Sequence, residues 1–254
     1  MKKKHTKIKI FLTSATGKMS QSLITEIIHS NEYELIGALV RKGSLYDGEP
    51  LDKLNHLYST HNNIRLSHQW PKKNIDIVID FSFPEHTLNI MDKCISHQYP
   101  LIIGTTGFSS LEYTKIIEAK KKIPIFMASN FSLGVHILMQ LTKKISQLFN
   151  EGTEKDIIEY HHKYKKDMPS GTAISLKNTI KKSTHKDIQV DCHSIRAGHI
   201  IGKHQVIFTS EQEQITLEHN AITRNTFSLG ALKVAKWLIK QDIGLYDMDN
   251  FLPS

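Results

Sequence analysis

The segment EYHHKYKKDMPSGTA, residues 159–173, combines the residue types best suited to acid–base chemistry on an anionic ligand. Histidine can supply a proton near neutral pH, and a nearby ammonium group can hold an anion or stabilise developing negative charge. The loop then opens a helix: Ser170 suits the N-cap, Gly171 permits close backbone approach, and Thr172 adds a hydroxyl group. A helix start of this kind is suited to binding a carboxylate.

The adjacent histidines His161 and His162 are the candidate proton donors of this segment. Successive side chains of a strand point to opposite faces, so at most one of the two faces a given pocket while the strand continues. Two other interpretations stay open from the residues alone: a polar surface loop before a capped helix, and a zinc site. Zinc is less favoured, because the two histidines have no third ligand at a recognisable spacing.

A second candidate site is the turn at residues 13–19, which follows the first apolar run and precedes a helix. Dinucleotide-binding domains place their pyrophosphate at such a turn, where helix N-terminal amides and the helix dipole favour phosphate. Only Gly17 remains of the usual Gly-x-Gly-x-x-Gly, so an ordinary strand-to-helix turn is the alternative. The second strand ends in Val40, Arg41 and Lys42 with no acidic residue, which favours NADP(H) over NAD(H) if the cofactor is a nicotinamide.

The pattern of apolar runs predicts two domains of α/β class. Strands alternate with helices up to about Met127, which indicates a doubly wound, Rossmann-type parallel sheet covered on both faces. After Asn130 the strands follow one another with a single helix between them, which predicts a C-terminal α+β domain with a mixed or antiparallel sheet. We predict a dinucleotide-binding domain at 1–130, a second domain at 131–225, and a C-terminal helix within 226–254 that packs back on the first. The predicted strands are 7–13, 33–40, 75–82, 100–106, 123–129, 154–162, 187–197, 203–210 and 213–219, and the predicted helices are 17–30, 84–94, 111–121, 131–149, 170–182 and 226–241.

The composition excludes several classes of protein. Of the 254 residues, 39% are hydrophobic, which excludes a wholly disordered chain. The net charge of +8 suits nucleic acid, an anionic membrane or small anionic ligands, and does not choose among them. Cys94 and Cys192 alone cannot form a disulfide framework, so a reducing compartment is expected. The apolar run Ile8–Leu12 is far shorter than a signal-peptide core or a membrane span of ~20 residues, so we expect a cytoplasmic protein without membrane association.

With these residues the chain resembles the dihydrodipicolinate reductase family. HHKYKKDMPSGTA matches the family's His-His-x-x-Lys-x-Asp-x-Pro-Ser-Gly-Thr-Ala, and DFSFPEHT, IIGTTGF, SNFSLGV, RAGHIIGKHQVIF, HNAITRNTFSLGALKVAKWL and GLYDM match in the family's order. The resemblance implies NAD(P)H-dependent reduction of 4-hydroxy-tetrahydrodipicolinate, a small dicarboxylate, to tetrahydrodipicolinate with loss of water, in lysine and diaminopimelate biosynthesis. It also implies a homotetramer built through the C-terminal sheet, so that this domain binds substrate and forms the tetramer.

The resemblance also implies a role for each matching position. His161 is similar to the family's proton donor and Lys165 to its catalytic partner, while His162, Gly171 and Thr172 match substrate-binding positions. No metal is implied. NADPH is the expected cofactor, with NADH possible, because Val40 replaces an acid that many relatives carry there. The positions that match the cofactor site are Ser14, Gly17, Lys18, Met19, Arg41, Gly104, Thr105, Thr106, Ser129, Asn130 and Phe131.

Two alternative functions compete with this interpretation. Another two-domain NADP-dependent reductase of a small acid would share the first domain without needing residues 161–173. A basic nucleic-acid-binding protein would account for the positive charge. The aromatic residues are mostly not interleaved with the basic runs, however, and no recognisable nucleic-acid-binding motif occurs, so we expect no nucleic-acid partner.

Overall fold

The computed structural model describes residues 7–61, 63–72, 74–149, 152–184 and 188–252. They form two compact units: the described residues up to Phe131 together with those from Phe227 onward make the first unit, and Ser132–Thr226 make the second. Among the described residues, no helix is long and apolar enough to cross a membrane.

The secondary-structure elements are numbered here in chain order. The strands are β1 (Ile8–Leu12), β2 (Tyr33–Leu39), β3 (Leu66–Ser67), β4 (Ile77–Asp80), β5 (Leu101–Ile103), β6 (Pro124–Met127), β7 (Glu154–His161), β8 (Asp191–Arg196), β9 (Lys203–Thr209), β10 (Gln214–Asn220) and β11 (Gly244–Tyr246). The helices are α1 (Lys18–Ile28), α2 (Pro84–His97), α3 (Ser110–Ala119), α4 (Leu133–Leu148), α5 (Gly171–Ser183), α6 (Asn225–Leu238) and α7 (Met248–Phe251). Two 3₁₀ turns, Leu51–Lys53 and His56–His61, lie between β2 and β3.

The first unit is built on a seven-stranded sheet in the order β11-β6-β5-β4-β1-β2-β3. Every neighbouring pair is parallel. Strands buried on both faces read as continuous apolar runs, and all four residues of β4 and all three of β5 are buried. Because β1 lies between β2 and β4, the strand order reverses there, and parallel α/β sheets bind ligands at the carboxyl ends of the strands at such a point.

Helix α6 packs within the first unit although it comes late in the chain. Its buried side chains include Ala231, Val234, Ala235 and Leu238, a helical spacing that forms one apolar face. The hydroxyl of Tyr33 on β2 donates a hydrogen bond of 3.0 Å to the carbonyl oxygen of Leu232 in α6. Helix α6 therefore contributes to the same core as the strands from the first part of the chain.

The second unit is a four-stranded sheet in the order β10-β9-β7-β8. Strands β7 and β8 are parallel, whereas β9 is antiparallel to both β7 and β10, so the sheet is mixed. Alternate residues of β9, namely His204, Val206 and Phe208, are buried, so one face of this strand lies in the core. Val206 and Phe208 pack with Ile157 of β7 and Leu176 of α5 in one core.

The predicted fold class is confirmed: a Rossmann-type parallel sheet and a separate mixed sheet. Several element bounds were wrong. Strands β3 and β11 were not predicted, because two or three residues are too few for a periodic pattern. Helix α4 begins at Leu133 because Ser132 is its N-cap, and α6 ends at Leu238. The predicted strand 187–197 is shortened to β8, and its first residue, Asp187, lies outside the described residues.

Gly230 in α6 makes a close contact that permits no side chain. A Cβ added there would lie 1.8 Å from the carbonyl oxygen of Phe131, and backbone cannot rotate away. Alanine normally stabilises a helix relative to glycine by about 1 kcal/mol, but here overpacking reverses the sign. We expect Gly230→Ala to lower the free energy of unfolding by about 1–3 kcal/mol in urea titrations. Leu229→Ala, at a half-exposed neighbour in the same helix, is the control, and equal stability of the two variants would show that Gly230 is not needed for packing.

Candidate functional site

The strand β7 ends in a buried pair of side chains, Glu159 and His161. Residues two apart on a strand share a face, and both side chains lie on the face that also buries Ile157. The ring nitrogen Nδ1 of His161 is hydrogen-bonded to Oε2 of Glu159. An ionised carboxylate only accepts hydrogen bonds, so Nδ1 carries the proton and donates.

Glu159 is fully buried and has two further donors. Arg196 of β8 donates from Nη2 to Oε1 at 2.7 Å, and the backbone N–H of Ser170 donates to the same oxygen at 3.3 Å. Burial raises the pKa of the Glu159 carboxyl group, but the interactions with Arg196, Ser194 and His161 together outweigh it and lower the pKa below its ordinary value. Glu159 is therefore a buried anion with its oxygens occupied.

The remaining ring nitrogen of His161, Nε2, is the atom through which this side chain can act. Among the described residues, none forms a hydrogen bond to it. A Cβ added to Gly202 would lie only 3.1 Å from Nε2, so the glycine keeps space open beside this nitrogen. Burial lowers the pKa of His161, and the bond to Glu159 partly counteracts this effect.

The loop after β7 carries Lys165, whose side chain is partly buried. The Lys165 Nζ atom lies 2.8 Å from Oδ1 of Asp167, and the Asp167 side chain is more than half exposed. The hydrogen bond from Lys165 lowers the pKa of the Asp167 carboxyl group. The carbonyl oxygen of Asp167 accepts a 2.6 Å hydrogen bond from Arg196, which fastens the loop to β8. The Lys165 side chain is 23% exposed and the Asp167 side chain 57%, so the ion pair is open to water on the Asp167 side, where an anionic ligand could displace this carboxylate.

Helix α5 starts directly after this loop, as predicted. The hydroxyl of Ser170 accepts a 3.2 Å hydrogen bond from the backbone N–H of Ala173, which is an N-cap. Gly171 opens the helix, and a Cβ added there would meet nothing within 4 Å. Thr172 follows in the same first turn. His162, one residue past β7, is half-buried, and its Nδ1 has no hydrogen-bond partner among the residues described.

His204 on β9 belongs to this cluster and was not predicted. Its Nε2 lies 3.1 Å from the Ser170 hydroxyl, and its ring meets that of His161 edge-on at 5.2 Å between centroids. Burial, with a smaller contribution from His161, lowers the pKa of His204 to about 4. Glu159, His161 and His204 each offer a ligand atom within 4.8 Å of the others. The sequence has no third metal ligand at a recognisable spacing; in the fold Glu159 and His204 lie beside His161, but Oε1 of Glu159 already accepts hydrogen bonds from Arg196 and Ser170.

The first unit has a cavity of about 650 Å³ at the turn after β1. The predicted cofactor residues Ser14, Gly17 and Arg41 line it, and the turn is closed by a 3.0 Å hydrogen bond from the Gly17 N–H to the Ser14 carbonyl oxygen. Lys18 and Met19, also predicted, begin α1 and are not among the lining residues. The other basic or imidazole side chains that line the cavity are Lys42, His68, His86 and Lys93. None of the described lining residues is acidic.

A second cavity of about 620 Å³ lies beside the ends of β5 and β6, and Thr105, Thr106 and Ser129 line it. Gly104, also predicted for the cofactor, precedes Thr105. A Cβ at this position would lie 2.0 Å from the Phe81 ring, so a side chain does not fit here. Asn130 and Phe131, also predicted for the cofactor, are not among its lining residues. Phe131 is buried and packs edge-on against Phe81 at 5.3 Å between ring centroids, so its side chain belongs to the core.

Asp80, at the end of β4, organises this part of the first unit and was also missed. It is fully buried and accepts hydrogen bonds from the hydroxyls of Thr13, Ser82, Thr87 and Thr105, the last at 3.0 Å. The Thr105 hydroxyl also accepts from the Ser82 N–H at 3.0 Å. The hydroxyl of Thr105, predicted to contact the cofactor, thus forms hydrogen bonds within the protein beside the second cavity.

Comparisons with known proteins agree over almost the whole chain. The family model described as "Dihydrodipicolinate reductase, N-terminus" matches residues 8–131, and the one described as "Dihydrodipicolinate reductase, C-terminus" matches residues 134–252. The 4-hydroxy-tetrahydrodipicolinate reductase of Buchnera aphidicola subsp. Schizaphis graminum (strain Sg) is 36% identical over 271 residues, which cover 99% of this chain and 98% of the relative. That of Wigglesworthia glossinidia brevipalpis is 36% identical over 256 residues, with 98% and 95% coverage.

A solved structure supports the same fold. Dipicolinate-bound dihydrodipicolinate reductase from Paenisporosarcina sp. TG-14 superposes with a TM-score of 0.75 at 21% identity, covering 97% of this chain and 100% of that one. A myo-inositol dehydrogenase from Corynebacterium glutamicum ATCC 13032 superposes with a TM-score of 0.58 at 10% identity, covering 94% and 90% of the two chains. At 10% identity this second likeness concerns the fold alone.

The buried His204 predicts how stability depends on pH. In the unfolded chain His204 takes up a proton at about pH 6.5, whereas in the folded chain it stays neutral down to about pH 4. Above about pH 6.5 burying the neutral His204 ring therefore does not lower the free energy of unfolding. As the pH falls from there toward 4, the free energy of unfolding decreases, because the unfolded chain binds a proton that the folded chain does not. Between these limits we expect wild type to lose up to about 3 kcal/mol more unfolding free energy than His204→Gln in urea titrations. The exposed His56→Gln should keep the wild-type pH dependence, and an unchanged slope in His204→Gln would refute the assignment.

Proposed function

Because the chain belongs to the dihydrodipicolinate reductase family, we propose that its second unit binds the dicarboxylate substrate, with His161 as proton donor and Lys165 as its partner. The chain is an oxidoreductase that reduces 4-hydroxy-tetrahydrodipicolinate to tetrahydrodipicolinate in lysine and diaminopimelate biosynthesis. The observation that carries the residue assignment is the Glu159–His161 pair, which leaves Nε2 as the available ring nitrogen.

The charges around His161 suit a dianionic ring. The Lys165 ammonium can leave Asp167 for a substrate carboxylate, and the start of α5 at Gly171 and Thr172 offers backbone N–H groups to the other. His162 adds a half-buried imidazole at the edge of this site. The substrate's two negative charges compensate the positive end of the helix and the lysine together.

The protonation of His161 follows from these charges. Burial lowers its pKa most, and Lys165 and Arg196 lower it further. The negative charge of a bound dianion counteracts these effects, so substrate binding raises the pKa of His161 and favours proton uptake at Nε2. Reduced nicotinamide, when bound, supplies a hydride. His161 then provides its Nε2 proton where negative charge develops on the ring.

We propose NADPH as the preferred cofactor, with the first unit as its domain; the family implies NAD(P)H. The cavity at the β1 turn fits a phosphorylated dinucleotide because its described lining carries Arg41, Lys42 and Lys93 without an opposing carboxylate. A 2′-phosphate brings negative charge that these cations bind, whereas a ribose diol finds no acidic acceptor in this lining. Gly17 and Ser14 shape the turn for the pyrophosphate, and Lys18 and Met19 place the α1 N-terminus.

We further propose a cytoplasmic homotetramer without a nucleic-acid partner. The face of the four-stranded sheet opposite α4 and α5 carries Ile158, Tyr160 and Ile207, which are only partly buried within the single chain. Partly exposed apolar residues on one sheet face suit a subunit contact. Sedimentation equilibrium tests the assembly, and a monomeric mass would refute it.

The two catalytic assignments are tested by single substitutions. General acid–base groups contribute about 10²–10⁴-fold to rate, so His161→Gln should lower kcat by that range with the fold intact by circular dichroism. Lys165→Ala should lower kcat/KM strongly, because it removes the cation that holds the substrate. NADPH oxidation with freshly made synthase product is the measurement. Lys166→Ala, an exposed neighbour in the same loop, is the control, and wild-type turnover in either test variant would remove its assigned role.

Cofactor preference is tested at Arg41. Losing one hydrogen-bonded charge costs about 1.5–3 kcal/mol, so Arg41→Ala should raise the KM for NADPH roughly tenfold to 150-fold while changing that for NADH little. Lys53→Ala, exposed in the nearby 3₁₀ turn, should leave both KM values unchanged. Steady-state kinetics with both cofactors decides the matter. A wild-type preference for NADH would overturn the NADPH assignment.

A further inference from the structure

We propose that Glu159 is the positioning residue of the second unit, a single buried carboxylate that fixes the proton donor, the lysine loop and the helix start together. The inference rests on the proposed roles of His161 and Lys165. Its geometric basis is that the two carboxylate oxygens hold one group from each of three segments.

The first connection sets the tautomer of His161. Because Glu159 accepts a hydrogen bond from the Nδ1–H group, the proton of the neutral ring stays on Nδ1. Nε2 is then unprotonated and can receive a proton. The same bond raises the pKa of the ring against the effect of burial. Glu159 therefore determines both which nitrogen exchanges a proton and the pH at which it does so.

The second connection reaches the lysine loop through Arg196. One guanidinium nitrogen, Nη2, donates both to Glu159 Oε1 at 2.7 Å and to the Asp167 carbonyl oxygen at 2.6 Å. The Arg196 side chain is only 10% exposed, so water does not weaken this bridge as it would at the surface. Lys165 lies two residues before the tethered carbonyl, and its ammonium pairs with the same Asp167.

The third connection reaches the start of α5. The Ser170 N–H donates to Glu159 Oε1, while the Ser170 hydroxyl caps α5 and lies 3.1 Å from His204 Nε2. Ser170, which precedes Gly171 and Thr172, is therefore hydrogen-bonded to the same carboxylate as His161. A displacement of Glu159 would move the acid and the anion site together.

Charge balance distinguishes this role from a purely structural ion pair. The groups around His161 are Glu159 on its own strand, Arg196 from β8, His204 from β9 and Lys165 from the loop. Replacing Glu159 by glutamine removes the one negative charge among them and leaves Arg196 buried without its partner. Replacing both Glu159 and Arg196 removes the unpaired charge while still lacking the carboxylate.

The experiment compares Glu159→Gln with the double variant Glu159→Gln/Arg196→Met and with a matched control. The control is Asp156→Asn, which removes a carboxylate–histidine pair from the same two strands: Asp156 Oδ1 lies 2.9 Å from His193 Nε2, and both side chains are partly exposed. ¹⁵N-histidine NMR, with the His161 signals assigned by their loss in His161→Gln, reports tautomer and pKa without any substrate.

We expect the neutral His161 ring to be protonated at Nδ1 in wild type and in Asp156→Asn. In Glu159→Gln its pKa should fall by about one to three pH units, because an opposite charge in contact is lost. The decline of kcat with rising pH should begin correspondingly lower, and kcat near neutral pH should fall at least about tenfold. The double variant should recover thermal stability but not the tautomer, the pH profile or kcat.

Two results would overturn the proposal: an unchanged tautomer and pKa of His161 in folded Glu159→Gln, or wild-type kcat and pH profile in the double variant. The second would reduce Glu159 to a counterion for Arg196. If the NMR result holds but wild type fails to reduce the synthase product, the proposed substrate is wrong while the hold of Glu159 on His161 stands.

Discussion

A carboxylate taken fully out of water constrains everything around it, and Glu159 imposes that constraint on the second unit. An isolated buried anion is so unfavourable that it must gain hydrogen bonds or lose its charge. Glu159 keeps its charge because a guanidinium, an imidazole and a backbone amide donate to it. These donors come from β8, from β7 itself and from the residue before α5, so their positions are mutually dependent.

Asp80 plays the corresponding part in the first unit with different chemistry. Its donors are hydroxyl groups from the β1 turn, from residues 82 and 87, and from Thr105. Hydroxyl donors bring no compensating charge, whereas Arg196 does so for Glu159. Both carboxylates stand at or near the carboxyl end of a central strand, where loops from several elements converge. Each thus ties distant loops into one rigid arrangement beside a candidate site.

The sequence was sufficient for the fold class and for the capped start of α5. Alternating strands and helices predict a parallel sheet, and the order Ser170–Gly171–Thr172 predicts a capped helix start, because both depend on local spacing. Glu159, Arg196, Asp80 and His204 were missed because their importance comes from pairing in space: Arg196 is 37 residues from Glu159. The two-residue spacing on β7 puts Glu159 on the same face as His161, and His204 lies on the buried face of β9. Its contact with Ser170 across 34 residues leaves no local pattern.

The basic cavity at the β1 turn has a consequence for how the protein handles inorganic ions. Like charges gathered on one concave wall repel one another, and any small polyanion that enters relieves that repulsion. If the dinucleotide binds at this cavity as proposed, buffer phosphate or sulfate competes with it for the same cations, and a higher ionic strength screens their attraction for the cofactor. An affinity measured for the cofactor would then depend on the salt and buffer as well as on the protein.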